Sequence, residues 1–274
     1  MRKAFVLVLL LITALACVPF SQQESFEDKA ATQVAIAFTA TALDATVSTL
    51  ENPVEPTVTD QPDTRPTESP LFDPTEDLGN PVYTDNSSSW NTWSVNPGDQ
   101  IIESITTVSV ADGKLSMQSS QVGKFHWWLN YRLIDNAYLE AIYETGNCSG
   151  NDEYGLVFRA PDYFNGVGYY FTLTCDGKFD LREKADPNSL IQDNQLRFGM
   201  QSSDLINSGP NQQNSLGVWM NGESIRLYIN KQFLGEITDA ELTASGHFGP
   251  FIYARKTPGF KISLKEISYW AIDN

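Results

Sequence analysis

The chain has 274 residues and a formal net charge of −16, with 18 Lys and Arg against 34 Asp and Glu. That balance excludes a nucleic-acid binder, because neutralising a phosphate backbone needs a basic stripe and none is present. All six tryptophans lie between Trp90 and Trp270, so one aromatic-rich region is expected to hold a single core, while the segment before it has little to bury.

The amino terminus starts with Arg2 and Lys3, continues through an apolar run over 4–12, and reaches Ala14, Leu15 and Ala16 before Cys17. This reads as a secretory signal peptide covering residues 1–16, with an apolar run too short to span a bilayer. Residues 13–17 resemble a bacterial lipobox, in which the cysteine is acylated, although Ala14 stands where that motif usually has a large aliphatic residue. The expectation is an extracytoplasmic lipoprotein held to a bacterial membrane through Cys17. The same residues also suit an A-x-A cleavage site, which would leave a secreted chain with Cys17 as an ordinary first residue.

Residues 17–81 then form a helix and linker. Ile36, Leu43 and Leu50 are spaced by seven, with Ala40 and Val47 between them, which predicts a lone helix over 27–50, shorter than a secure coiled coil. From Glu51 to Pro81 there are seven prolines, and from Glu51 to Asn80 eight acidic residues face Arg65 alone. Proline removes ladder donors and the acids repel one another, so an extended stalk is expected. At about 3.1 Å per residue, its roughly 30 residues would reach on the order of 90 Å.

Residues 82–274 read as the folded domain. Short strands are predicted at 101–110, 114–118, 125–129, 138–145, 154–160, 168–174, 178–184, 215–220, 224–229, 232–237, 247–253 and 260–271. Asp112-Gly113, Asp176-Gly177 and Asn221-Gly222 carry hairpin-turn chemistry, with Asn230-Lys231 as a weaker fourth. Ile225, Leu227 and Ile229 alternate with Arg226 and Tyr228, and Tyr154, Leu156 and Phe158 with Gly155, Val157 and Arg159, the pattern of half-buried antiparallel strands. The phase slips between Leu264 and Ile267, predicting a bulge near Lys265 and Glu266. The fold class is therefore all-β, an antiparallel β-sandwich or jelly roll. Cys148 and Cys175 flank the hairpin of 154–160 and 168–174, and an even pair in an oxidising compartment suggests a disulfide. Two buried free thiols are the alternative.

Asp85 to Trp90, Asp112-Gly113-Lys114-Leu115, Glu153 to Arg159, Gly168-Tyr169-Tyr170 and Arg226 to Asn230 together resemble the concanavalin A-like lectin/glucanase superfamily. The nearest branch resembles laminin G-like domains related to the 3-keto-disaccharide hydrolase family. The helix and stalk are similar to those of surface lipoproteins of filamentous bacteria such as the Chloroflexota. The resemblance covers about Val82 to Asn274 and rests on turn and core positions, which speak to fold more than to activity.

Sandwich glucanases of that superfamily place carboxylates on alternate residues of one strand, giving the roughly 5 Å separation that retaining hydrolysis needs. Here the nearest match, Glu236, Asp239 and Glu241, has its middle carboxylate one place late. His126 and His247 are the only histidines, and neither accompanies a nucleophile motif. No catalytic residues are expected, no zinc set is present, and no cofactor is called for. Loop oxygens at Asn151, Asp152, Asp162 or Asn165 are the candidates for calcium, which is common in the superfamily. The candidate ligand-binding residues are Arg159, Tyr170, Arg226 and Tyr228, with Trp127 or Trp128, because sugars stack on exposed aromatics and hydrogen-bond to nearby polar groups. Adjacent tryptophans on a strand face opposite sides, so only one of the pair can be core. The leading expectation is a tethered, non-catalytic module that binds carbohydrate or another envelope ligand. A hydrolase of 3-keto-glycosides and a structural or protein-binding envelope module are the alternatives.

Overall fold

The structure, a computed structural model, describes residues 73–86, 90–188 and 195–272. The signal peptide, Cys17, the 27–50 helix and the stalk up to residue 72 lie outside the described residues.

A helical turn, α1 (Thr75–Leu78), precedes β1 (Tyr83–Asp85), β2 (Gln100–Ile102), β3 (Thr106–Ala111), β4 (Lys114–Ser119) and β5 (Lys124–Trp127). There follow β6 (Ala137–Thr145), β7 (Glu153–Ala160), β8 (Gly168–Thr174), β9 (Lys178–Lys184) and β10 (Gln195–Ser202). The last five are β11 (Gln213–Asn221), β12 (Ser224–Ile229), β13 (Gln232–Thr238), β14 (His247–Ala254) and β15 (Lys261–Ala271). The larger sheet runs β13-β12-β11-β6-β15-β4-β3-β2, with β1 also on β15, and the smaller β10-β9-β8-β7-β14-β5. Every strand pairing is antiparallel, the β-sandwich expected from the alternation.

The core lies between the sheets. Ile225, Leu227 and Ile229 of β12 and Leu216 and Val218 of β11 meet Tyr154, Leu156 and Phe158 of β7 and Tyr169, Phe171 and Leu173 of β8 in one cluster. Full burial of a large apolar side chain is worth roughly 1.5–3 kcal/mol, which is what fixes the register of each strand. In β15 the register slips between Leu264 and Glu266. That bulge returns Ile267 to the core beside Ile262 and Leu264.

Turn chemistry sets the hairpins. Asp112 and Gly113 both have positive φ, and so do Asn230 and Lys231, so the weaker signal makes the same kind of two-residue turn as the stronger one. Cys148 and Cys175 are disulfide-bonded, with Cα atoms 5.9 Å apart.

Three elements depart from the sequence-based expectation. The strand at 101–110 is two, β2 and β3, because the chain reverses where the Glu103 amide donates to the Thr106 carbonyl at 2.9 Å. Strand β10 was not expected, although Leu196, Phe198 and Met200 alternate there with Gln195, Arg197 and Gln201, and its pairing with β9 has two register shifts. The end of the stalk is not extended: Asp73 Oδ1 accepts from the Thr75 amide at 3.0 Å, its Oδ2 from Lys231 at 2.8 Å, and the Gly79 carbonyl from Trp270 Nε1 at 3.0 Å. Leu78 packs there on Tyr138, Tyr228 and Trp270, on the outer side of the large sheet. Covering those rings outweighs the polyproline preference of so short a segment.

Candidate aromatic cleft

Strand β5 forms one edge of the small sheet and, among the described residues, pairs only with β14, with Trp127 opposite Phe251 and His126 opposite Ile252. Phe125 and Trp127 lie on the outer side of that sheet, against Tyr170, Phe251 and Tyr253. Trp128 turns the other way and packs on the main core, its Nε1 donating to the Trp93 carbonyl at 2.7 Å. The two tryptophans therefore do face opposite sides. At a free edge, however, both flanks border the same space, and both rings, half-buried, line one cleft of about 330 Å³.

Close backbone approach makes this possible. Beyond β5 the Trp128 amide still donates to Pro250 O at 2.9 Å, and a Cβ on Gly249 would sit 2.1 Å from the Trp128 carbonyl oxygen. The opposite wall is the loop after β7. Asp162 Oδ1 accepts from the amides of Phe164 (2.7 Å) and Asn165 (2.9 Å), an Asx turn that presents Tyr163 and Phe164. Phe164 is 85% exposed. The Tyr163 carbonyl takes a hydrogen bond from Trp127 Nε1 at 3.2 Å, joining wall to floor. Tyr131 meets the Tyr163 ring edge-on, centroids 5.4 Å apart, and is 54% exposed.

The polar group of the cleft is a pair. His126 Nε2 lies 3.3 Å from Glu103 Oε2, with the imidazole largely shielded and the carboxylate 40% exposed. Burial pushes His126 below the usual imidazole value, with the Glu103 carboxylate opposing. The other histidine is a framework group: His247 Nδ1 is 3.1 Å and 3.0 Å from the carbonyls of Asn130 and Arg132, so it carries the proton and donates to them.

The remaining sequence candidates do not converge on the cleft. Arg159 was expected to face outward with Val157. Its φ is instead +52°, and its side chain donates to Leu242 O at 3.0 Å and Gly222 O at 2.6 Å and is 3% exposed. Burial lowers its pKa. Tyr170 lies on the outer side as expected but is sealed under Phe125 and Phe251, with its hydroxyl on Gly166 O at 2.5 Å. Tyr228 is 3% exposed in the cluster beneath Leu78. Arg226 is partly exposed on the large sheet and pairs with Glu236 at 3.2 Å.

That pairing also occupies the nearest carboxylate pattern: Glu236 accepts from Ser224 at 2.6 Å as well, and Asp239 Oδ1 caps the Glu241 amide at 2.9 Å. Two of the calcium candidates, Asp152 and Asp162, are taken by N–H donors. Asp152 Oδ1 accepts from the amides of Arg255, Lys256 and Thr257 and its Oδ2 from Ser149; burial raises its pKa, but these bonds outweigh it and hold it low. Among the described residues no group of three His, Cys, Asp or Glu could hold a metal ion. A second charged cluster, on the outer side of the small sheet, is closed on itself: Arg182 bridges Glu153 (3.0 Å) and Asp180, and Arg255 holds Glu153 at 2.5 Å.

Glu103, Tyr131, Tyr163 and Phe164 were missed by sequence reasoning. The available signal was the aromatic pair Tyr163-Phe164 between Asp162 and Asn165, since large rings inside turn chemistry have no core to enter.

No protein-family model and no curated protein matches the chain. Similar solved structures include a carbohydrate-binding module from Bacillus subtilis, 13% identical, with 55% of this chain and 85% of that one covered and a TM-score of 0.43. A galectin-like protein of unknown function from Bacillus subtilis is 13% identical over 70% of this chain and 96% of its own, with a TM-score of 0.47. An endo-β-galactosidase from Clostridium perfringens is 8% identical over 62% and 56%, with a TM-score of 0.41.

Proposed function

We propose that the chain is an extracytoplasmic lipoprotein whose β-sandwich binds carbohydrate without cleaving it, in the cleft at the free edge of β5. The observation that carries this reading is the exposure of Tyr131 and Phe164 around a cleft floored by Trp127 and Trp128. Apolar sugar faces stack on such rings, and a cleft of this size is at the low end for small ligands. The held geometry of the loop supports it, because the Asx turn at Asp162 presents Phe164 to solvent rather than folding it inward.

Glycan-array binding by the full chain tests the reading. Phe164→Ala and Tyr131→Ala should each lower affinity while leaving thermal stability unchanged, since both side chains are mostly outside the core. Absence of binding across cell-wall and plant glycans, or binding untouched by both substitutions, overturns it. The anchor is tested separately: a fatty-acid label should enter the exported protein and be lost in Cys17→Ser.

A further inference from the structure

Resting on that reading, we infer that the cleft selects a glycan carrying a free amino group, its ammonium held against Glu103 and stacked among the aromatic walls. Among the described residues Glu103 is the one acidic side chain lining the cleft, and none of them there is Lys or Arg. Arg132, adjacent in sequence to Tyr131, is turned away with its guanidinium over the Tyr83 ring, 4.2 Å from the centroid. The imidazole beside the carboxylate is held toward its neutral form by burial, so it does not cancel the Glu103 charge at neutral pH. An ammonium placed there meets an oppositely charged oxygen with room to approach, because Glu103 is 40% exposed.

The walls favour the same charge. Trp, Tyr and Phe rings present negative faces, and cations over such faces are attracted most strongly when partly desolvated. Trp127, Trp128, Tyr131, Tyr163 and Phe164 surround the space beside Glu103. A uronic or sulfated glycan would instead bring an anion against a carboxylate with no compensating cation, inside a protein of net charge −16.

The test compares oligomers of glucosamine, N-acetylglucosamine and glucose by titration of tryptophan fluorescence in the full chain. The expected result is about tenfold tighter binding of the glucosamine oligomer than of its acetylated counterpart. That preference should shrink as salt is raised and vanish in Glu103→Gln, where the two affinities become equal. Equal affinities in the unaltered protein overturn the inference and leave the carbohydrate reading standing. A glucosamine preference that persists in Glu103→Gln also overturns it. Binding of none of the three oligomers overturns it too, and if the wider array is also blank the carbohydrate reading falls with it.

Discussion

Replacing Cys148 and Cys175 by serine should lower the melting temperature of the sandwich, and the size of the loss follows from the position of the bond. The bridge spans 27 residues of sequence. In the chain-entropy account, closing such a loop removes roughly 12 cal/mol/K from the unfolded ensemble, about 3.5 kcal/mol at 25 °C. For a domain of this size 1 kcal/mol shifts the midpoint by about 2–4 °C, so the double substitution should lower it by roughly 7–14 °C. The native state does not need the bond to bring the two ends together, because β7 and β8 pair from Glu153 opposite Thr174 to Phe158 opposite Tyr169. The effect should therefore sit in the unfolded chain and appear as slower refolding, with unfolding little changed once the hairpin is present in the transition state. Thermal melts by circular dichroism and stopped-flow chevrons read both quantities. A shift under about 3 °C, or a loss expressed mainly as faster unfolding, would refute the entropic argument.

Gly249→Ala should destabilise by about 2 kcal/mol or more, because the added Cβ falls 2.1 Å from the Trp128 carbonyl oxygen and the backbones must part; urea midpoints and tryptophan emission report it together. Arg182→Met should cost about 3–5 kcal/mol at pH 7, since Asp180, 1% exposed, loses its guanidinium while Glu153 keeps Arg255. Burial already raises the Asp180 pKa, so the variant's deficit should be absent below the unfolded carboxylate value and grow as pH rises through the folded one. A deficit equal at pH 4 and pH 7 would contradict that. His126 is shifted down by burial, so its neutral form supports the fold fully above about pH 6.5, and this contribution is lost as pH falls through the lower folded value. His126→Gln should flatten the melting-temperature profile between pH 7 and pH 5, and an unchanged profile would assign the slope to other groups.

The fold was legible because its signals are local. Ile225, Leu227 and Ile229 declare a buried face within six residues, and Asp112-Gly113 declares its turn within two. Arg159 was misplaced because alternation assumes uninterrupted extended backbone, and nothing within β7 announces that one residue adopts a positive φ there. The register against β14 shifts at the same place, between His247 and Gly249, in a partner strand some 90 residues further along. The cleft was half legible for a similar reason. Trp127 and Trp128 stand out on their own, but Glu103, Tyr131 and Phe164 come from three separate loops, and their meeting depends on which strand ends the small sheet. Residues 73–79 were misread as stalk because composition scores prolines and acids and cannot weigh Leu78 against aromatic rings nearly 60 residues or more away.

An edge strand is ordinarily a weakness, since its free backbone groups invite further pairing. Here β5 is only four residues long, and its free side is occupied by the cleft. The same feature gives the site its character, because only at an edge can side chains from both sides of a sheet line one space. The back of that space is built by the segment that follows β1: Asp85 accepts from Tyr83 at 2.7 Å and from Trp93 Nε1 at 3.0 Å, while the Trp93 carbonyl accepts from Trp128. Asn130 reaches Thr92 at 2.9 Å from the other side. The chain thus docks residues 73–79 on the outer side of the large sheet, crosses along β1, and arrives as a wall of the cleft on the small sheet. Residues 73–79 and the cleft are thereby placed on different sheets.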